Sequence, residues 1–295
     1  LPFVSPKEMS AFAILSLLVP ILISINIIFV LYWLINLKKQ LLLSTIILVI
    51  GWFFTPPFYK LTENTSSLND DLKVMTYNVR MFNHWKWIDD ETIPKKINAF
   101  VEEKAPDILL FQEYIKTKNE NAKIGLAIYS KFPIINKGSL QLENTSNNII
   151  FADIVKKKDT IRIYNLHLQS LQLRPDQENF GEADSERLIA RLKDGFKKQA
   201  LQTEVFLAHE KGWKGKKIIA GDFNNTSYSW VYNQISKDKK DAFIEAGKGF
   251  GKTFNYWFPM RIDFILTDEN AIINRFNSFS EENSDHFPIL AKINW

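Results

Sequence analysis

The chain has 295 residues, of which 46% are hydrophobic and 24% charged, with a net charge of +4. That size suits one large domain with an appendage, and the mild basicity suits a polyanionic substrate or an anionic membrane without choosing between them. The absence of cysteine excludes disulfides, thiolate catalysis and cysteine-ligated zinc, and leaves the redox compartment open.

The average composition conceals two kinds of segment. No charged residue occurs from Met9 to Leu37, nor from Gln40 to Tyr59. Residues 11–37 exceed the roughly 20 apolar residues that a bilayer crossing needs, and Pro20 is tolerable in a membrane helix. Residues 41–59 supply a second, shorter span that ends in Trp52, Phe53, Phe54 and Tyr59. This is an interfacial aromatic belt, and Pro56-Pro57 breaks the helix there. Neither span has the polar face of a water-soluble core helix. A second span directly after the first argues against a cleaved signal peptide.

Residues 1–60 therefore read as a two-helix transmembrane hairpin around the turn Lys38-Lys39-Gln40. The positive-inside rule puts that turn in the cytoplasm. Both ends of the hairpin, and the domain after it, then lie on the outer face of what we expect to be a bacterial cytoplasmic membrane. The chain opens on Leu1, so the expectation is a fragment or a processed product.

Residues 61–71 (LTENTSSLNDD) are a polar linker. Residues 72–295 then alternate short apolar runs with charged stretches. Strands are predicted at 72–79, 108–112, 124–129, 149–155, 160–168, 217–220, 261–267 and 288–293, and helices at 93–104 and 186–210. Lys156-Lys157-Lys158 reads as a solvated turn between strands, and residues 174–185 as a polar loop on the substrate side. His84 and His209 match no motif and are expected at the surface.

Several predicted strands end in acids, amides and histidine. Asn78 and Arg80 follow the first strand, and Gln112-Glu113 close the second. Asn165-Leu166-His167 close the fifth, and Gly221-Asp222-Phe223-Asn224-Asn225 follow the sixth. Asp263 lies in Arg261-Ile262-Asp263-Phe264, and His286 in Ser284-Asp285-His286-Phe287-Pro288. Hard oxygen and amide donors with few histidines suit Mg²⁺, Mn²⁺ or Ca²⁺ better than structural zinc.

The ordered set NVR, QE, NLHLQS, GDFNN, RIDFIL and SDHFPI resembles the endonuclease/exonuclease/phosphatase superfamily, from Leu72 to the C-terminus. That resemblance implies an α/β (α+β) fold: a four-layer αββα sandwich of two mixed β-sheets flanked by helices. It implies Glu113 as a metal ligand, with Asn78 beside it and Asp285 as a further ligand. Asp222 and Asn224 resemble the pair that orients or deprotonates the attacking water and holds the phosphate. His286 resembles the histidine that hydrogen-bonds a phosphate oxygen, and Asp263 the carboxylate that fixes its tautomer. His167 resembles the second histidine of the nuclease and sphingomyelinase branches, a general acid or phosphate stabiliser. Tyr129 and Lys131, in IYSKFPI, occupy a stretch where the family places phosphate contacts. Arg80 sits two residues past Asn78, as in the deoxyribonuclease pattern. Abasic-site enzymes have an acid there, which disfavours that activity.

The implied function is divalent-metal-dependent phosphodiester hydrolysis, nuclease-like. The alternatives are a phospholipid or sphingomyelin phosphodiesterase or phosphomonoesterase at the membrane, and an inactive tethered binding module. The expected partners are a nucleic-acid or lipid-headgroup phosphodiester and the lipid bilayer, and no protein partner is inferred. Nucleic acid would need basic contacts to successive phosphates, for which Arg80, Lys131, Arg174 and Arg261 are scattered candidates. The stretch between Glu113 and Gly125 is shorter than the family's usual, which leaves only Glu120 there as a carboxylate partner for His167.

Overall fold

The computed structural model describes residues 2–63, 66, 70–115, 124–142, 145, 147–172 and 182–295. Glu120 and Arg174, and most of the polar loop 174–185, lie outside them. Helix α1 (Pro6–Ile35) begins where the Ser5 hydroxyl accepts from the Lys7 N–H and Pro6 enters the first turn, a favoured N-terminal arrangement. Its 30 residues are long and apolar enough to cross a membrane. Helix α2 (Leu41–Phe54) packs against α1 but has only 14 residues. The helix expected over 41–59 stops there because Thr55 is extended and two prolines follow, which cannot continue the hydrogen-bond ladder.

Among the described residues eleven strands follow: β1 (Leu72–Asn78), β2 (Ile108–Ile115), β3 (Ile124–Ser130), β4 (Ile134–Ser139), β5 (Asn148–Lys156), β6 (Asp159–His167), β7 (Lys216–Asp222), β8 (Lys239–Asp241), β9 (Asp263–Asp268), β10 (Ile272–Ser278) and β11 (Ile289–Asn294). Four helices accompany them: α3 (Ile93–Lys104), α4 (Glu182–Glu210), α5 (Trp230–Ser236) and α6 (Ala242–Ala246). One sheet runs β10-β11-β1-β2-β3 and the other β4-β5-β6-β7-β9-β8. Each is mixed, because β1 pairs parallel with β2 and β6 parallel with β7, while their other pairings are antiparallel.

The layers follow from strand alternation. Val74, Ile108 and Leu110 face Ile161, Ile163, Ile218 and Ile265 between the sheets. Met75, Tyr77, Leu109 and Phe111 point the other way, onto Ile93, Ile97 and Phe100 of α3. On the far side, Tyr164, Ile219 and Phe264 pack under Phe206 of α4 and Val231 of α5. Each fully buried aliphatic side chain contributes about 1.5–3 kcal/mol, so these layers hold the sandwich together.

The strands absent from the sequence reading are β4, β8 and β10, and each is a sheet edge. An edge strand has one partner and carries polar residues that blunt further pairing, which weakens its apolar pattern. Two other expectations are corrected. The strand expected over 261–267 starts at Asp263, so Arg261 and Ile262 precede it. His209 is half-buried on the outer face of the second sheet, with its Nδ1 3.0 Å from the Tyr164 hydroxyl.

Candidate active site

The two parallel pairings deliver the C-terminal ends of β1, β2, β6 and β7 to one edge of the sandwich. Strands β9 and β11 run antiparallel to β7 and β1, so they begin at that same edge. Asn78, Glu113, His167, Asp222, Asp263 and His286 are therefore gathered by topology from six separate stretches of chain. Local distortions then aim them. A bulge between Phe111 and Tyr114, with Glu113 at φ +49°, turns that carboxylate off the pleat, a common use of bulges. At Gly221, φ is +134° and an added Cβ would meet the Leu166 carbonyl oxygen at 2.1 Å, so only glycine lets β7 approach β6 and present Asp222. Arg80, Met81, Phe82 and Asn83 all take positive φ, a strained turn of the kind found at functional sites.

Asp222 is the hub. Its Oδ2 accepts from Asn78 Nδ2 and Asn224 Nδ2, both at 3.1 Å, and its Oδ1 accepts from the Asn224 N–H at 2.7 Å. His286 Nε2 and His167 Nε2 each lie 3.7 Å from the same Oδ2. Behind His286, its Nδ1 is 3.0 Å from Asp263 Oδ2. Asn78 also donates to Glu113 Oε1 at 3.4 Å, while its Oδ1 accepts from the Arg80 N–H. Arg80 pairs with Asp285 at 3.3 Å and stacks over Trp87. Glu113 Oε1 lies 3.9 Å from His167 Nε2.

Burial sets the protonation. Burial alone would lower the pKa of His286, but the Asp263 and Asp222 carboxylates outweigh it and hold the ring well above its ordinary value. His167 has no such compensation, and burial and the neighbouring His286 push it down to about 3. Asp222 is raised far above the usual carboxylate range, chiefly by burial and against the pull of His286. Glu113 is raised by burial and then by the repulsion of Asp285.

This donor set fits a divalent metal. Carboxylates repel one another in two pairs, Glu113 with Asp285 and Asp222 with Asp263, an arrangement that a hard cation relieves. Ligand atoms of Asp222, Asp263 and His286 also lie within 4.8 Å of one another. Glu113, with the Asp285 carboxylate near it, is a second group of donors that could hold a cation.

A family model described as Endonuclease/Exonuclease/phosphatase family matches residues 75–286, which includes every strand end just described. The chain belongs to the endonuclease/exonuclease/phosphatase family. Enzymes of this family hydrolyse phosphoester bonds and use divalent metals. A second model, described as a domain of unknown function (DUF8431), matches residues 1–58. No curated protein matches the chain at a significant level.

Several solved structures share the fold. The endonuclease/exonuclease/phosphatase from Bacteroides vulgatus superposes with a TM-score of 0.57 at 17% identity, covering 77% of this chain and 99% of that one. TDP2 of D. rerio, solved with a single-strand DNA product, gives 0.57 at 13% identity over 77% and 100%. The mannosyl-6-phosphatase of Bacteroides thetaiotaomicron gives 0.53 at 18% identity over 76% and 100%.

Within this endonuclease/exonuclease/phosphatase chain, two expected substrate contacts lie away from the cluster. Lys131 is tied to Asp107 and the Ala105 carbonyl, beside Ser130, which pairs with Ile108 at the far end of β2. Tyr129 lies on the outer face of the first sheet, where its hydroxyl donates to that of Tyr114. Neither reaches Asp222, because the antiparallel β2–β3 pairing carries the IYSKFPI stretch to the opposite edge. Arg261 is buried against Asp241 at 2.6 Å and over the Phe264 ring, so it is a core ion pair and not a free phosphate contact.

Three positioning residues were not anticipated. Gln199 of α4 donates to the Gln169 and Asn224 carbonyls and accepts from Asn225. The Thr253 hydroxyl accepts from the Ile262 and Asp263 N–H groups. The Ser284 hydroxyl donates to the Asn78 carbonyl. A signal for Gln199 exists in the sequence: it is a polar residue next to Ala200 on the apolar face that also carries Leu192 and Phe196.

Proposed function

We propose that this chain is a membrane-anchored, divalent-metal-dependent phosphoesterase that cleaves phosphodiester bonds by attack of water. Residues 1–60 serve as anchor, 61–71 as linker and 72–295 as hydrolase, on the outer face of the membrane. The convergence of Asn78, His167, Asn224 and His286 on the single Asp222 carboxylate carries this reading.

Asp222 accepts the proton of the attacking water, and Asn224 keeps its carboxylate oriented. His286, protonated and held by Asp263, donates to a non-bridging phosphate oxygen and stabilises the charge that builds there. His167, held neutral by burial with Nε2 3.7 Å from Asp222 Oδ2, serves as a phosphate stabiliser. Arg80, aimed by Asp285 and Trp87, supports the same phosphate. Glu113 and Asp285 would hold the cation, with Asn78 keeping Glu113 in place. Such a cation neutralises phosphoryl charge and polarises the ester.

The test is turnover of bis(p-nitrophenyl) phosphate by the full chain in detergent, with Mg²⁺ or Mn²⁺ and with EDTA. Activity should need the metal and fall at least about 100-fold in Glu113→Ala and in Asp222→Ala. Undiminished turnover in EDTA, or in Asp222→Ala, would overturn the proposal.

A further inference from the structure

The apolar N-terminal helices are docked on the catalytic edge of the sandwich. Ala13, Ile14 and Leu17 of α1 pack on Leu171, Leu192 and Phe196, and Leu171 lies four residues beyond His167 on the same loop. The Thr226 hydroxyl, two residues past Asn224, donates to the Ser16 carbonyl at 3.3 Å. Lys7 pairs with Glu204 of α4. After α2, Lys60 and Gly249 exchange backbone hydrogen bonds in both directions, which clamps the end of the apolar segment to the loop before β9.

That loop is an aromatic bridge to the catalytic histidine. The Phe58 ring stacks with Phe258 at 6.0 Å, Phe258 meets Trp257 at 5.6 Å, and Trp257 meets Tyr256 at 5.9 Å. Tyr256 stacks on Phe254, whose ring stands edge-on to His286 at 5.0 Å. The Asn255 N–H donates to the Asp285 carbonyl, and the Phe287 N–H to that of Thr253. The rings therefore run unbroken from the apolar segment to the site. Trp257 is 71% exposed among the described residues. Aromatic side chains of this kind concentrate at membrane–water interfaces.

Depth gives the same answer. Pro20 lies against the domain, in a small cavity with Thr226 and Pro259, so only residues 21–35 of α1 stand clear of it. That stretch, like the 14 residues of α2, falls short of the roughly 20 needed to cross a bilayer. Embedding the full apolar length draws the docked half of α1 into the membrane, and the catalytic edge follows it. Exposed Lys248, next to Phe250 in this belt, suits an anionic headgroup layer.

We propose that the catalytic edge is the membrane-facing edge, and that the substrate is a phosphodiester carried by a bilayer lipid, which reaches His286 past the aromatic rim at residues 254–258. This rests on the hydrolase reading above. The water oxygen forms one new bond to phosphorus as Asp222 takes its proton, one ester P–O bond breaks, and the departing alkoxide takes up a proton to leave as the alcohol, so one water is added across the ester. A nucleic-acid track would need a row of free cations. Of the candidates among the described residues, Arg80 alone stands at the site, where it pairs with Asp285, Arg261 is buried in its ion pair and Lys131 lies at the opposite edge, so they form no row, whereas the rim is aromatic.

The experiment uses the full chain reconstituted in vesicles of phosphatidylcholine, phosphatidylethanolamine and phosphatidylglycerol. Headgroup release is compared with turnover of soluble bis(p-nitrophenyl) phosphate and of single-stranded DNA, for the unaltered protein and for Trp257→Ser. We expect vesicle lipid to be cleaved, and Trp257→Ser to lose about tenfold more turnover on vesicles than on the soluble substrate, the effect of removing one large interfacial ring. In vesicles of bromine-labelled lipid, quenching of tryptophan fluorescence should shrink in the variant. Soluble turnover without lipid cleavage, preference for DNA, or equal losses on both substrates would each overturn the lipid assignment and leave the hydrolase reading standing. Absence of turnover of all three substrates under any metal would instead sink the hydrolase reading itself.

Discussion

At the scale of single residues, the site is a balance between burial and charge. His286 keeps its proton only because Asp263 and Asp222 outweigh the desolvation that would remove it. Replacing Asp263 with Asn takes away one of those anions, so the pKa of His286 falls and the proton is lost at lower pH. The alkaline limb of kcat/KM should then move down by more than about one pH unit, with a rate loss on the order of 100-fold or more at neutral pH. A pH–rate series on Asp263→Asn checks both. The stabilising share of the raised His286 pKa is complete below the ordinary value of its ring and is lost as pH rises through the folded value.

Asp222 has the opposite linkage. Its folded pKa is raised, chiefly by burial, so its ionisation costs stability. That cost is absent below the ordinary carboxylate range and fully present above the folded pKa. Asp222→Asn, which keeps an oxygen for the Asn224 N–H, should abolish turnover yet hold or raise Tm at pH 8. Thermal melts at pH 5 and pH 8 decide, and a fall in Tm confined to pH 8 would contradict it. Much of this site was legible as residue types: GDFNN and SDHFPI named Asp222 and His286. The protonation states were not legible, because desolvation depends on what covers a group in space.

At the scale of elements, α4 does more than cover a sheet. Its buried Gln199 ties the loop after His167 to the loop after Asp222, so two strand ends share one clamp. Gln199→Ala leaves buried carbonyl groups unpaired and should cost about 1–3 kcal/mol. The loosened Asn224 should lower kcat more than it raises KM. Denaturant midpoints and steady-state kinetics on the folded variant test this, and Gln199→Glu should rescue little because it loses the donor. Helix α3 and the central strands β1, β2, β6 and β7 could be read from periodicity, since they are buried on both faces or strongly amphipathic. Edge strands β4, β8 and β10 could not, and neither could the bulge at Glu113, because a two-residue repeat carries no mark of an inserted residue.

At the scale of the whole molecule, the apolar helices and the hydrolase form one packed object. The contact of Ala13, Ile14 and Leu17 with Leu171, Leu192 and Phe196 means that removing residues 1–60 uncovers an apolar patch beside the site. We expect that truncation to lower Tm and to drive self-association, seen as a shift to larger species in size-exclusion chromatography. The full chain in detergent should stay as it is. A truncated chain that remained monomeric with an unchanged Tm would mean that the docked half of α1 contributes nothing to the fold.

The sequence by itself determined the residue chemistry, the long apolar stretch at the N-terminus and the family, because those rest on residue type and order along the chain. Only the tertiary structure decided that Lys131 and Tyr129 lie away from the Asp222 cluster, that Arg261 is sealed in an ion pair, and that the first apolar helix docks beside the loops after His167 and Asp222. Antiparallel pairing, burial and helix docking bring together residues far apart in the chain, and no local pattern records where those meetings occur.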